Sequence, residues 1–248
     1  MHILLPPSET KRDGGEGAGL RLGALAFPEL RSQREQTLAA LAALCADEHA
    51  ALAALKLGAN GQAELARNRA LRQAPLLPAA DRYTGVLYDA LDAPSLGRAA
   101  RAFLARSAII HSALFGPVRA LDPIPAYRLS ADSRLPGRSL REIWREPVSA
   151  ALDGLDGLVL DLRSESYAKL GPLPGRANSA FVRVVTPGTD GTVRALNHFN
   201  KTAKGAFVRR LAQERPQVRT IAGLLRWARR AGIVLRPGSQ GELDLFVE

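Results

Sequence analysis

Five stretches of this chain bring chemistry-bearing side chains close together. The first is Ser8-Glu9-Thr10-Lys11-Arg12, directly after an apolar run. A strand end delivers side chains to the rim of a sheet, where open α/β proteins bind ligands. Ser8 and Lys11 have the spacing at which a lysine activates a serine nucleophile, but no companion motif of such hydrolases accompanies them. An anion site of Ser8, Lys11 and Arg12 fits better. The alternative is a helix N-cap by Ser8, with Lys11 in the first turn.

The second stretch is Asn197-His198-Phe199-Asn200-Lys201-Thr202-Ala203-Lys204-Gly205. Lys204 precedes Phe207, Val208 and Leu211 at helical spacings and shares their apolar face. An ammonium there either snorkels out to water or meets an anion, because burying it unpaired is costly. With Lys201 one turn earlier, the pair reads as a phosphate or carboxylate clamp near a helix N-terminus. His198 is an acid–base candidate, although a lone histidine is more often structural.

The third runs from Asp161 to Lys169, after a buried strand. Arg163, Glu165, Tyr167 and Lys169 alternate, so an extended chain places all four on one face, as at a pocket edge. A solvated turn of mixed charge is the other reading. The fourth is Leu57-Gly58-Ala59-Asn60-Gly61 between two helices, flanked by Lys56, Arg67, Arg69 and Arg72. A glycine hairpin there points backbone N–H groups at a phosphate and suits contact that does not read sequence. An ordinary αα-hairpin with a glycine C-cap has the same signature. The fifth is Arg219, Arg226 and Arg230 on one face of a helix, which is also what a solvated face of a basic protein looks like. The histidines His2, His49, His111 and His198 have no ligand spacing with one another, so no metal site is expected.

The elements that must position these groups follow from periodicity and breakers. Strands are expected at His2–Leu5, Ser107–Ala113 and Gly157–Leu162. Hairpins are expected for 180–186 with 192–196, and for 233–235 with 243–247. Helices are expected over 29–57, 62–72, 83–91, 95–106, 139–152 (kinked or broken at Pro147), 200–213 and 217–231. The stretch 114–129, punctuated by Gly116, Pro117, Pro123 and Pro125, reads as loop. Intermixed helices and strands without repeat or linker predict one domain of mixed α/β class with a central sheet.

Composition bounds the function classes. The chain has 248 residues, 46% hydrophobic, with 34 Lys+Arg against 24 Asp+Glu and a formal charge of +10. That balance permits a polyanionic partner, although a composition rich in Ala, Arg, Leu and Gly also supplies arginine without function. No apolar run approaches the ~18 residues of a membrane helix. The opening residues lack a signal-peptide pattern, so a cytoplasmic location is expected. The lone Cys45 excludes an intramolecular disulfide and a multi-cysteine metal site.

Several segments, taken in order, resemble the YaaA family of peroxide-stress proteins. They are His2-Ile-Leu-Leu-Pro-Pro-Ser-Glu-Thr-Lys11, Tyr83-Thr-Gly-Val-Leu-Tyr88, Ser112 to Leu129, Leu162-Arg-Ser-Glu-Ser-Tyr-Ala-Lys169 and Asn197 to Gly205. The resemblance implies a single mixed α/β domain of the cantaloupe fold and a positively charged cleft. It also implies a helix-hairpin-helix-like DNA-binding element, which falls at about 36–72 here. By position the cleft residues are Lys11, Tyr83, Tyr88, Arg128, Glu165, Tyr167, Lys169, Lys201 and Lys204. The family is associated with protecting DNA and protein from hydrogen peroxide, partly by limiting free iron. The chain departs from the family's better-studied branch at Pro6-Pro-Ser-Glu-Thr-Lys11, where that branch has a Ser-Pro-Ala-Lys type of start, and in a Pro174-Gly-Arg176 insert.

Lys11, Lys169, Lys201 and Lys204 fall inside these motifs, and Lys56 sits beside the hairpin glycine. In a chain that otherwise uses arginine, this placement suggests that a compact ammonium is wanted there. Two functions follow as expectations. One is a DNA-binding stress protein that holds double-stranded DNA by its phosphates through Ser8, Lys11, Arg12, Lys56, Gly58, Gly61, Tyr88, Arg128, Tyr167, Lys169, Lys201 and Lys204. The other is an enzyme acting on a nucleotide-like or other anionic small molecule over Lys11, Lys201, Lys204 and Arg128. Its candidate acid–base groups are Glu165, Tyr83 and His198. Neither reading calls for a cofactor or a membrane.

Overall fold

The structure, a computed structural model, describes residues 1–17, 19–58, 61–187, 193–195 and 200–247. In chain order the first half holds β1 (His2–Leu5), α1 (Arg31–Leu44), α2 (Glu48–Ala54), α3 (Gln62–Arg69), β2 (Leu77–Pro78), α4 (Ala79–Arg82), α5 (Val86–Leu91) and α6 (Arg98–Ser107). Then come β3 (Ala108–Ser112), β4 (Gly116–Arg119), β5 (Pro123–Ile124), α7 (Leu140–Asp153), β6 (Val159–Asp161) and α8 (Glu165–Lys169). The remainder holds β7 (Ser179–Pro187), β8 (Val193–Ala195), α9 (Asn200–Glu214), α10 (Ile221–Arg230), β9 (Leu235–Pro237) and β10 (Glu242–Phe246).

The main sheet runs β4-β3-β1-β6-β7-β10-β9, with β8 also paired to β7. β3, β1, β6, β7 and β10 are mutually parallel, whereas β4, β8 and β9 are antiparallel additions. Parallel strands are buried on both faces, which is why Ile3 to Leu5 and Ala108 to Ile110 read as unbroken apolar runs. Val185 pairs with Phe246 on one edge and with Ala195 on the other. β8 therefore occupies β6's edge of β7, past the carboxyl end of β6. One continuous apolar core joins the sheet to its helices. α5, α6 and α9 pack together, with α6 on β1 and β3 and α9 on β7, while α1 packs on α7.

Several elements differ from the periodicity-based expectation. The helix expected over 29–57 is two helices, because the Asp47 carboxylate accepts from the Ala50 N–H at 3.0 Å and starts α2 afresh. The helix expected over 83–91 begins only at Val86. Tyr83 is extended and bridges Lys11, and Gly85 turns the chain at φ 93. The stretch expected as loop holds β4 and β5. Gly116, at φ 63, lies so close to the Trp144 ring that a Cβ would stand 2.7 Å from it. Pro117 is tolerated because β4 is an edge strand. Pro147 neither breaks α7 nor stops it; a Ser139–Glu142 capping box secures the start of that helix. The last helix starts four residues later than expected, where the Thr220 hydroxyl accepts from Gly223 N–H. Both expected hairpins form, although the turn 188–192 of the first lies outside the described residues.

α2 and α3 pack as a helical hairpin. Gly61 makes this approach possible, since a Cβ there would stand 2.6 Å from Leu52 Cδ2. The hairpin's centre, Ala59 and Asn60, lies outside the described residues.

Candidate functional site

β1 has β3 on one side and β6 on the other, so the chain order reverses between β1 and β6. In open α/β sheets such a switch point leaves a crevice at the strands' carboxyl ends, because the connections leave in opposite directions. A cleft of about 590 Å³ lies there. Its walls are Pro6–Thr10 after β1, Leu162, Ser164, Ser166 and Tyr167 after β6, Thr84–Tyr88, Ser130–Asp132 and the first turn of α9.

The segment after β1 is pinned from behind by Lys11. Lys11 is 9% exposed, and its ammonium donates to the carbonyls of Ser8 at 3.0 Å and Glu9 at 3.1 Å. It also lies 4.1 Å from the centre of the Tyr127 ring, a cation–π contact. Burial, with Arg128 nearby, lowers its pKa to about 7. Lys11 thus organises the cleft wall rather than facing into the cleft. It bonds the Ser8 carbonyl, while the Ser8 hydroxyl faces Thr10 Oγ1 at 3.2 Å, so no serine–lysine dyad forms. Arg12 is exposed and is not among the residues lining the cleft. Arg128 is paired with Glu9 at 2.8 Å and does not itself line the cleft.

Beneath that wall runs a hydroxyl chain. Ser112 Oγ accepts from the N–H groups of Leu114 and Phe115 at 3.1 and 3.0 Å and lies 2.7 Å from Tyr127 Oη. Tyr127 Oη lies 2.7 Å from Tyr83 Oη. Burial raises the pKa of Tyr83, Tyr88, Tyr127 and Tyr167 above the usual phenol range, so all four are neutral at physiological pH. Tyr88 donates to the Pro6 carbonyl at 2.7 Å and lines the cleft, as does Tyr167.

The stretch expected to be extended after β6 is instead the short helix α8, so its polar groups diverge. Arg163 is fully buried and bound to Asp161 and His111. Tyr167 turns into the cleft. Glu165 and Lys169 are exposed and 4.0 Å apart, beside a second, mainly apolar cavity of about 490 Å³ against Pro172–Gly175 and Phe181.

On the far wall, Lys204 is buried and lines the cleft, with its ammonium 5.4 Å from the Phe181 ring centre. Burial lowers its pKa to about 8 against the opposing pull of Asp161. Gly205 permits this placement: α9 lies so close to α5 that a Cβ on Gly205 would stand 2.1 Å from the Leu87 carbonyl oxygen. Lys201 is exposed at the cleft mouth. His198 lies outside the described residues.

The hairpin groups do not join this cleft. Lys56 and Gly58 are exposed, and Lys56 adopts φ 53. Arg67 is paired with Glu64 and Asp13, and Arg69 donates to the Cys45 carbonyl at 2.9 Å. Arg219, Arg226 and Arg230 are exposed. Among the described residues no three His, Cys, Asp or Glu side chains converge as metal ligands, and no helix is long and apolar enough to cross a membrane.

Sequence reasoning missed Ser112, Tyr127 and His111 as parts of the site, and it put Arg163 on a pocket edge where the structure buries it against Asp161 and His111. Each becomes visible only through contacts 15 or more residues apart. Asn200 was also missed as a lining group; its place at the start of an amphipathic helix was the available signal.

A family model described as peroxide stress protein YaaA matches residues 1–232. A UPF0246 protein of Corynebacterium efficiens is 45% identical over the full length of both chains. One of Streptomyces coelicolor is 45% identical over 85% of this chain and 82% of its own. An uncharacterized protein of Campylobacter jejuni is 30% identical over 68% of this chain and 70% of its own.

Proposed function

The chain belongs to the YaaA peroxide-stress family, and from that footing we propose that it defends the cell against peroxide by occupying the phosphates of double-stranded DNA without reading sequence. The observation that carries this reading is the orientation of the surplus charge. Arg12, Lys56, Arg72, Arg219, Arg226, Arg229, Arg230 and Arg236 are all exposed, in a chain of net charge +10. Cations facing solvent release counterions from a phosphate backbone when they dock on it. The protective chemistry follows from that occupancy. Ferrous iron held at DNA phosphates gives one electron to hydrogen peroxide, becoming ferric and splitting the O–O bond into hydroxide and a hydroxyl radical beside the sugar; lysine and arginine on those phosphates would displace the iron.

Fluorescence anisotropy with two unrelated duplexes at low and moderate salt tests this. Affinity is expected to fall steeply with salt and to differ little between sequences. An absence of binding at low salt removes the reading.

A second reading is favoured by the concavity of the cleft. At about 590 Å³ it falls within the ~300–1,000 Å³ of small-molecule sites. An enzyme acting on an anionic small molecule fits that shape better than duplex docking does. Of the expected acid–base groups, Tyr83 is buried and neutral behind the wall and Glu165 lies outside the cleft, so neither supplies a base to it.

A further inference from the structure

The inner wall of the cleft carries a positive charge that the described part of the protein does not neutralise. Lys204 is 5% exposed. The carboxylate whose charge reaches it is Asp161. Both Asp161 oxygens are already held by the Arg163 guanidinium, at 2.9 and 2.6 Å. Among the described residues no acid forms an ion pair with Lys204, and the described contact of its ammonium is the face of Phe181. A buried ammonium in that condition is costly to keep, so its retention points to an anion that completes it.

The surroundings fit one kind of anion. Lys204 stands one turn into a 15-residue helix whose first turn lines the cleft, so amide groups without a partner inside the helix and the positive end of the helix dipole lie at the same space. Asn200, at the helix start, also lines the cleft, and its side-chain amide carries N–H donors of the kind an oxyanion accepts from. Lys201 adds a second ammonium at the mouth. The opposite side offers the Ser164 and Ser166 hydroxyls, 3.0 Å apart. Part of the lip is apolar, with Val86 51% exposed next to Tyr88, and the cleft lining also carries the exposed Glu9 and Asp132 carboxylates, Glu9 being paired with Arg128. Two ammonium groups and a helix N-terminus match a doubly charged tetrahedral oxyanion. The apolar lip matches an organic group attached to it.

We propose that this cleft binds a phosphate monoester of mononucleotide size, with the phosphate between Lys204 and the start of α9 and the organic part along Val86 and Tyr88. The proposal rests on the small-molecule reading above and deepens it by naming the ligand class and the residues that hold it. A duplex lying on the surface does not reach an ammonium buried at this depth, so the site is separate from the proposed DNA surface.

The test uses the full chain and isothermal titration with adenosine 5′-monophosphate, adenosine, inorganic phosphate and citrate. The nucleotide is expected to bind at one site per chain and more tightly than inorganic phosphate, with adenosine silent. Lys204→Met is expected to weaken it about tenfold or more, because a charge-assisted contact is lost. Lys201→Met is expected to weaken it less. Lys204→Arg, which keeps the charge, serves if the methionine variant fails to fold, and it is expected to bind more weakly than the parent because the planar fork misfits an ammonium site. Duplex anisotropy run on the same variants is expected to be unchanged. Failure of the nucleotide to bind, or undiminished binding in both Lys204 variants, overturns the proposal. Binding of citrate without the nucleotide overturns it while sparing the small-molecule reading; silence with all four probes removes both.

Discussion

Arg163 closes a two-pronged bond on Asp161, Nε to Oδ1 at 2.9 Å and Nη2 to Oδ2 at 2.6 Å, with both residues buried at the carboxyl end of β6. Its remaining nitrogen donates to the Gly171 carbonyl and to His111 Nδ1, each at 2.9 Å. The guanidinium thereby ties β6, β3 and the segment after α8 together and sets where the cleft wall beyond Leu162 begins. Removing one partner of a buried pair leaves the other charge uncompensated. Arg163→Leu is expected to cost about 3–5 kcal/mol in urea unfolding. Arg163→Lys is expected to recover little, since an ammonium cannot span both oxygens and His111 together. A loss below about 1 kcal/mol in the leucine variant would show that the pair is dispensable.

The same cluster sets an acid limit. A guanidinium only donates, so His111 Nδ1 must accept and the proton of the neutral ring sits on Nε2. Burial and the adjacent Arg163 charge hold the His111 pKa well below its usual value, and burial with Arg119 holds that of His2 down to about 4. Below about pH 6.5 the unfolded chain binds protons that these folded histidines refuse. Stability therefore falls as pH drops, by up to about 1.4 kcal/mol per unit for each group. His111→Asn, which keeps an acceptor for Arg163, is expected to flatten the profile between pH 6.5 and 5. Parallel profiles for variant and parent would refute this.

Two glycine substitutions are expected to part company. Gly205→Ala drives a methyl to within 2.1 Å of the Leu87 carbonyl, so α9 must back away from α5 and carry Lys204 with it. A loss of about 1–3 kcal/mol or more is expected in thermal melts, together with weaker nucleotide binding. Gly58→Ala meets nothing within 4 Å among the described residues and has no positive φ to oppose it. It should stay within about 0.5 kcal/mol of the parent.

Lys11 is expected to behave as a fastener of the loop after β1. Lys11→Met leaves the Ser8 and Glu9 carbonyls without their donor, and Lys11→Arg puts a larger planar group on the Tyr127 face. Each is expected to cost about 1–3 kcal/mol. Hydrogen exchange is expected to rise in residues 8–12 ahead of the rest of the sheet. Unchanged exchange there would assign Lys11 some other task.

Much of the frame was legible beforehand because burial writes itself into local pattern. The parallel core strands are short apolar runs, and both hairpins stand around Pro/Gly turns. β4 escaped notice because Gly116 and Pro117 are the residues that normally mark loops; only the Trp144 ring against Gly116 and the edge position account for them. Lys204 was legible too, since its spacing to Phe207, Val208 and Leu211 puts it on a buried face.

Sequence alone determined the family, the mixed α/β class and the presence of an ammonium on an apolar helix face, since each depends on near neighbours or on ordered motifs. Tertiary structure decided which charges are free. Lys11 and Lys204 are both cationic candidates in the sequence, yet one is saturated by two carbonyls behind the wall and the other lines the cleft. Arg34, Arg82 and Arg163 count toward the net charge of +10, but all three are buried and hold carbonyls or a carboxylate inside the fold. A side chain's type and spacing fix what it can bond. What it does bond depends on segments tens of residues away, and those meet only when the sheet assembles.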